Sequence, residues 1–244
     1  MRKTITKVLC GSHLQGLDTE NSDEDWKLLV LPTPMDLIDG RQKAHCETDE
    51  NGNDYDIHDI RDLPDLLWKA NPTYLEILFS DKEEKLPDYD LGLTSRLAFM
   101  TLRLAREPIA RMNLPYLWNA SWGMHYNRLK RMYRDVGPNG YNGKNACHSI
   151  RGLTMLIKYA ENGFTDFASC LRLDDTTRAN LIAIKKGEVP LNVVQGSIQK
   201  AEDDANRYRD QYLNATPDKE LYDQIREAVR RAVWIDVKAS EWEE

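Results

Sequence analysis

Cysteine is scarce in this 244-residue chain: four residues, at positions 10, 46, 147 and 170, with no Cys-x-x-Cys pairing among them. That excludes a disulfide framework and a zinc ribbon, and it fits reduced, mostly buried thiols in a cytoplasmic protein. Long apolar runs are missing too. None approaches the ~20 residues needed to span a bilayer, so no membrane partner is expected, and the N-terminus MRKTITKVL lacks the apolar core of a signal peptide. Positive charge is in deficit, with 33 Lys and Arg against 40 Asp and Glu and a net charge of −7. A protein that coats long duplex nucleic acid needs the opposite balance. A locally basic pocket stays open. There is no repeat and no low-complexity segment, and the length suffices for a substantial core.

What is present centres on Val8 to Leu31, reading VLCGSHLQGLDTENSDEDWKLLVL. The apolar runs Val8–Cys10 and Leu28–Leu31, bounded by Gly, Asn and Pro32, read as buried strands. Residues two apart on a strand point to one side, so Asp23 and Asp25 project together at a strand's start, beside the Gly11-Ser12 turn. Two adjacent carboxylates repel unless a cation sits between them, and an all-oxygen set suits Mg²⁺ or Mn²⁺. Gly11 lets the backbone approach a ligand, and Ser12 offers a hydroxyl and an amide to phosphate oxygens. A plain acidic turn between two strands would give the same pair.

Along the chain, strands are expected at 5–10, 26–31, 43–48 and 54–60, with a short helix or turn at 13–17 and one helical turn at 35–39. The last two strands flank Asn51-Gly52, a hairpin signal. The second arm alternates, with Asp54, Asp56 and His58 on one face and Tyr55 and Ile57 on the other; a solvated hairpin face is the plain alternative. Helices follow at 63–69 and 72–79, with Pro72 at a helix start, and Glu76 has a structural role. Ser80–Asp90 reads as a loop. Beyond it the periods are helical: 93–106, 115–134, 144–163, 177–187, 192–213 and 218–237. The aromatic and methionine residues Trp118, Trp122, Met124, Tyr126 and Met132 are taken as core. The fold class is α+β, a small mixed β-sheet head at 1–88 followed by an all-helical region at 89–244.

Within the helix beginning at Lys144, about 100° per residue aligns Lys144, His148, Arg151 and Met155, with Ala146, Ile150, Leu153 and Ile157 nearly opposite. Cations at i,i+3 and i,i+4 repel, a conflict that a triphosphate relieves. Lys acts as a point charge and Arg as a bidentate fork. A solvated face paired to acids is the alternative. The turn-rich stretch 135–143 before it could lie over a ligand. Lys185 and Lys186 read as a basic helix end.

Gly-Ser, ten residues, then Asp-x-Asp on a strand resembles the signature of the polymerase-β-type nucleotidyltransferases. The longer string GSHLQGLDTENSDEDWK resembles the branch called RNA-repair or RNA-ligase-associated nucleotidyltransferases, as do Asp-Tyr-Asp followed by Asn71-Pro72…Glu76, the Lys-x-x-x-His-x-x-Arg helix and Ile184-Lys-Lys-Gly-Glu188-Val. The resemblance implies a third carboxylate from a neighbouring strand. Asp56 is the matching position, and Asp54 competes if the register slips by two. It implies Mg²⁺ or Mn²⁺ on Asp23, Asp25 and Asp56 as the catalytic and metal set. A nucleoside triphosphate such as ATP would be held by Gly11, Ser12, His13, Lys144, His148 and Arg151. NMP would pass to an acceptor hydroxyl, with an RNA 3′ end such as that of tRNA favoured, and pyrophosphate would leave. Two positions depart from the pattern: Glu24, usually apolar, and Trp26, usually aliphatic. His13 is also a weaker cation than Arg near neutral pH. A non-catalytic NTP-binding module, or an enzyme that nucleotidylates a protein or small molecule, are the alternatives.

Overall fold

The computed structural model describes residues 2–20, 22–40, 44–84, 92–134, 136–137 and 139–240. It is α+β: a small mixed sheet near the N-terminus and helices thereafter. The chain divides into two compact units, one of residues 1–14, 18–112 and 218–244, the other of 15–17 and 113–217. Compactness thus groups the chain differently from a cut at 88/89.

In the first unit, β1 (Thr4–Cys10), β2 (Asp25–Val30), β3 (Ala44–Thr48) and β4 (Asp54–Asp59) form a sheet in the order β1-β2-β4-β3. β1 with β2 and β3 with β4 are antiparallel, while β2 and β4 run parallel. The Asn51-Gly52 hairpin forms as its sequence requires. Asp49 Oδ1 accepts from the Asn51 and Asn53 amides at 2.9 and 2.8 Å and fastens the loop. The free edge of β1 is covered by residues 82–84, which exchange backbone hydrogen bonds with Lys7 and Leu9 and so leave no open template there.

Helices α1 (Gly11–Gln15), α2 (Pro34–Ile38), α3 (Leu63–Trp68), α4 (Pro72–Phe79), α5 (Leu93–Leu104) and α6 (Arg106–Arg111) follow the strands. α4 starts at Pro72, where a missing N–H costs nothing, and its Asn71 cap accepts from the Thr73 amide at 3.1 Å. The helix then buries Leu75, Ile77, Leu78 and Phe79 and packs against β1. α6 was not foreseen. Pro108 cannot continue α5 but suits the first turn of a new helix.

The second unit holds α7 (Leu114–Arg134), α8 (Gly143–Glu161), α9 (Phe167–Leu171), α10 (Asp175–Lys185), α11 (Leu191–Asn206) and α12 (Arg209–Leu213). α8 is its centre, in contact with α7, α9, α10 and α11. α9 was unforeseen, and the single helix expected over 192–213 is split into α11 and α12, with Ala205 and Tyr212 buried on either side of the break. Of the five residues assigned to the core in α7, Trp118 and Met132 are buried and Tyr126 is exposed. On a 3.6-residue helix Tyr126 is rotated by about 80° from Trp118 and about 120° from Met132, which carries it off the buried side. A buried polar link ties three helices: His125 Nδ1 lies 2.8 Å from Ser149 Oγ, and its Nε2 lies 2.8 Å from Glu202 Oε1.

The expected loop at 80–90 is described only to residue 84, and Lys43, Asp135 and Pro138 of other expected segments also lie outside the described residues. Among the described residues no helix is long and apolar enough to cross a membrane.

The last helix, α13 (Lys219–Ser240), belongs with the sheet and not with the helices before it. Its buried Asp236 carboxylate accepts from the Thr94 and Ser95 amides at 3.0 and 2.6 Å, capping α5, whose own N-cap residue is Gly92. Asp236→Ala leaves two first-turn amides without that acceptor, so it is expected to cost about 1–3 kcal/mol. An unchanged urea midpoint would rule out this cap as a clasp between α13 and α5.

Candidate active site

β1 ends at Cys10, which pairs with Asp25. The chain then turns at Gly11, with φ +63°, and a Cβ there would run into the Asp25 carboxylate. The missing side chain therefore lets a carboxylate rest directly against backbone. Buried Glu76, inside α4, receives the Gly11 amide at 3.3 Å and steadies the turn.

The next constraint is the parallel register, which sets Asp25 opposite Asp54 and Lys27 opposite Asp56. The pairing reaches one residue further: the Asp54 amide donates to Glu24 O at 2.9 Å, and the Glu24 amide donates to Asn53 Oδ1 at 3.1 Å. One ligand oxygen each from Asp23, Asp25 and Asp54 falls within 4.8 Å of the others. Three carboxylates this close, beside a turn without a side chain, fit a divalent cation with oxygen ligands.

Asp56 is engaged by two protein side chains. Its Oδ2 is 2.7 Å from Lys27 Nζ, and its Oδ1 is 2.9 Å from His58 Nε2. Burial alone would raise the Asp56 carboxyl, but His58 and Lys27 outweigh it and hold it well below the usual carboxylate range. Burial likewise works against the Lys27 charge, and Asp56 more than offsets it. The Tyr74 hydroxyl lies 3.2 Å from His58 Nε2, and the Tyr74 ring lies under Lys27 Nζ at 4.7 Å. Asp54, Asp56 and His58 share one face of β4, but only Asp54 stands with Asp23 and Asp25.

Glu24 and Trp26, the two departures from the family pattern, belong to the other face. Trp26 Nε1 donates to Glu24 Oε2 at 2.8 Å, and Lys7 Nζ sits 4.5 Å from the Trp26 ring centroid. Neither side chain enters the carboxylate cluster. Ser12 is buried in α1, while His13 Nδ1 is 3.6 Å from Asp18 Oδ2. His13 Nε2 is buried without a hydrogen-bond partner, an orphaned group of the kind a ligand oxygen satisfies.

In the second unit, Lys144, His148 and Arg151 lie along α8, with Lys144 exposed and Arg151 buried at 6% exposure. The stripe thus turns inward along its length, and Met155 is buried as well. Sequence reading missed two cations that join it, Arg128 of α7 and Lys185 of α10. Arg128 Nη1 donates to Asn145 Oδ1 at 3.2 Å, and Lys185 Nζ donates to Leu17 O at 2.7 Å. Gly143 permits this, since a Cβ there would collide with the carbonyls of Ile184 and Lys185. Burial, then the charges of Arg128, Arg151, Lys185 and Lys144, push His148 down to about 3. No local signal joins positions 128, 148 and 185, which only helix packing brings together.

Residues 2–91 match the RNA repair pathway DNA polymerase beta family. That supports the resemblance to the RNA-repair branch of the polymerase-β-type nucleotidyltransferases. The matched stretch contains the Gly11 turn, Asp23, Asp25, Asp54, Asp56 and Glu76, and stops short of His148 and the four cations around it. An uncharacterized 38.9 kDa protein from the nrdC-mobD intergenic region of Enterobacteria phage T4 is 28% identical over 99 residues, which cover 35% of this chain and 30% of the phage protein. The N-terminal segment is polymerase-β-nucleotidyltransferase-like on these grounds.

Two outcomes test this geometry. Gly11→Ala is expected to displace Asp25 and lower any metal-dependent turnover by about 100-fold, together with a strain cost of about 1–2 kcal/mol; wild-type Mn²⁺ affinity in that variant would count against the close approach. Because the folded His148 binds its proton far more weakly than the unfolded chain, whose imidazole titrates near 6.5, its contribution to stability is present above that pH. It is lost as pH falls from there toward 3, by a few kcal/mol at most, on the order of 1.4 per pH unit. Thermal melts of wild type and His148→Gln between these limits should diverge, the variant showing the flatter profile, and added pyrophosphate should protect wild type most at the acidic end.

Proposed function

We propose that the protein is a metal-dependent nucleotidyltransferase that moves an NMP from a nucleoside triphosphate to an acceptor hydroxyl, an RNA 3′ end such as that of tRNA being favoured, and releases pyrophosphate. The observation that carries this reading is the convergence of Asp23, Asp25 and Asp54 beside Gly11, within the stretch that matches the family.

Asp23, Asp25 and Asp54 would hold Mg²⁺ or Mn²⁺. When bound, such an ion polarises phosphoryl oxygens and lowers the pKa of an acceptor hydroxyl. Gly11 brings its backbone against the cluster, and Ser12 and the orphaned His13 Nε2 offer hydrogen bonds to phosphate oxygens. Asp56 remains a proposed member of the site. Ionised against Lys27, it is a poor proton acceptor, and its contribution is to fix that lysine next to the metal carboxylates. Lys144 and Arg151, with Arg128 and Lys185, supply positive charge for a polyphosphate, and the neutral His148 among them offers a hydrogen bond, a role that asks for positioning rather than covalent chemistry. The four free cysteines, three of them buried, suit a cytoplasmic location.

The Lys27–Asp56 ion pair favours one rival, a module that binds ATP or another NTP without turning it over, because it spends a site carboxylate on a protein cation. Incubation with each α-labelled NTP and Mg²⁺ or Mn²⁺, against total RNA and total protein, separates the readings and identifies the acceptor. Label is expected in RNA. Asp23→Ala and Asp25→Ala should each lower transfer by at least about 100-fold with the fold intact, and full activity in both would sink the proposal. Asp54→Ala is expected to match them, with Asp56→Ala losing less; the reverse order would return Asp56 to the metal.

A further inference from the structure

The chain is acidic overall, yet between Pro108 and Ala160 it holds eight Lys or Arg and one acidic residue, Asp135. Three of the eight, Lys130, Arg131 and Arg134, lie on the solvent side of α7, together with Tyr126, Asn127 and Tyr133. The opposite side of the helix, with Leu117, Trp118, His125 and Met132, is buried. No acidic residue occurs anywhere in α7. Two other long helices mix their signs: α11 carries Glu202, Asp203 and Asp204, and α13 carries Glu220, Asp223 and Glu227 among its arginines.

Lys130 with Arg134 and Arg131 with Arg134 are like-charge pairs at i,i+4 and i,i+3, a spacing that destabilises a bare helix. Lys130 and Arg131 have no carboxylate partner among the described residues. Lys130 Nζ sits 5.8 Å from the Tyr126 ring centroid, and the Tyr133 hydroxyl accepts from Gln195 Nε2 at 3.2 Å. Both tyrosine rings are about half exposed, at 56% and 51%. Seven residues separate them, so they stand about 10 Å apart along the axis. Cations interleaved with exposed aromatic rings suit a chain that offers phosphates and bare base faces together. A duplex hides its base faces in the stack, and a protein surface offers no regular anion spacing.

We propose that this face of α7 docks single-stranded RNA, tyrosines 126 and 133 stacking on bases while Lys130, Arg131 and Arg134 meet the phosphates. The acceptor role of that RNA rests on the nucleotidyl-transfer reading; the binding does not.

The test is fluorescence anisotropy with a short labelled oligoadenylate RNA across a salt series, without NTP or metal. Wild type is expected to bind with a steep salt dependence. Lys130→Ala/Arg131→Ala should weaken binding at least ten-fold and lower the salt slope by about 1.4, the share of two phosphate contacts on a single strand. Tyr126→Ala/Tyr133→Ala should weaken binding and leave the slope unchanged. All four substitutions are on the exposed side, and melting curves report whether the fold survives. The assay contains neither NTP nor metal, so an enzyme reading that failed for lack of turnover would leave this result standing. Equal affinity of wild type and both double variants overturns the proposal. So does duplex RNA or poly-glutamate that competes as well as the single strand, since either would assign the face to another class of partner.

Discussion

Like charges held together are the constraint on which the rest of the first unit depends. Three backbone features bring Asp23, Asp25 and Asp54 within ligand-sharing distance: the parallel β2–β4 register, the extension of that pairing through Glu24 and Asn53, and a turn at Gly11 that has no side chain to push Asp25 away. The repulsion so stored is what a divalent cation relieves. Glu76, buried in α4, holds the turn from below, which explains a carboxylate inside an otherwise apolar helix.

Electrostatics divides the neighbourhood finely. Two residue pairs further along the same two strands, Lys27 and Asp56 neutralise each other, with His58 and Tyr74 completing a hydrogen-bonded and aromatic group. Across the sheet, Glu24, Trp26, Lys7 and Tyr55 make a separate polar and aromatic cluster. A strand's alternation keeps the two clusters apart, so the unusual Glu24 and Trp26 leave the metal face unchanged. The second unit shows the opposite imbalance, with four cations bearing on a half-buried imidazole that burial and their charge keep neutral.

The elements with strong local signals were legible. β1, β2, the Asn-Gly hairpin, α4 and the long helices α7, α8 and α13 follow from apolar period, turn residues and proline positions. Weak punctuation hid α6 and α9, each only five or six residues long. Tyr126 looked like core by residue type, and its angular position on α7 placed it in solvent. Lys185 looked like a helix end by its neighbours, and the approach of α10 to Gly143 brought it against His148.

By itself the sequence determined the α+β class, the strand that opens at Asp25 with Asp23 just before it, the glycine beside them and the cationic stripe of α8, because strand and helix periods and a lone glycine are local signals. Tertiary structure decided which β4 carboxylate stands with Asp23 and Asp25 and which cations surround His148. Asp54 and Asp56 have the same parity and share a face, so no local pattern separates them; the register against β2 gives one to the acidic group and the other to Lys27. Arg128, His148 and Lys185 come from three helices, and only the packing of those helices puts their charges in one place.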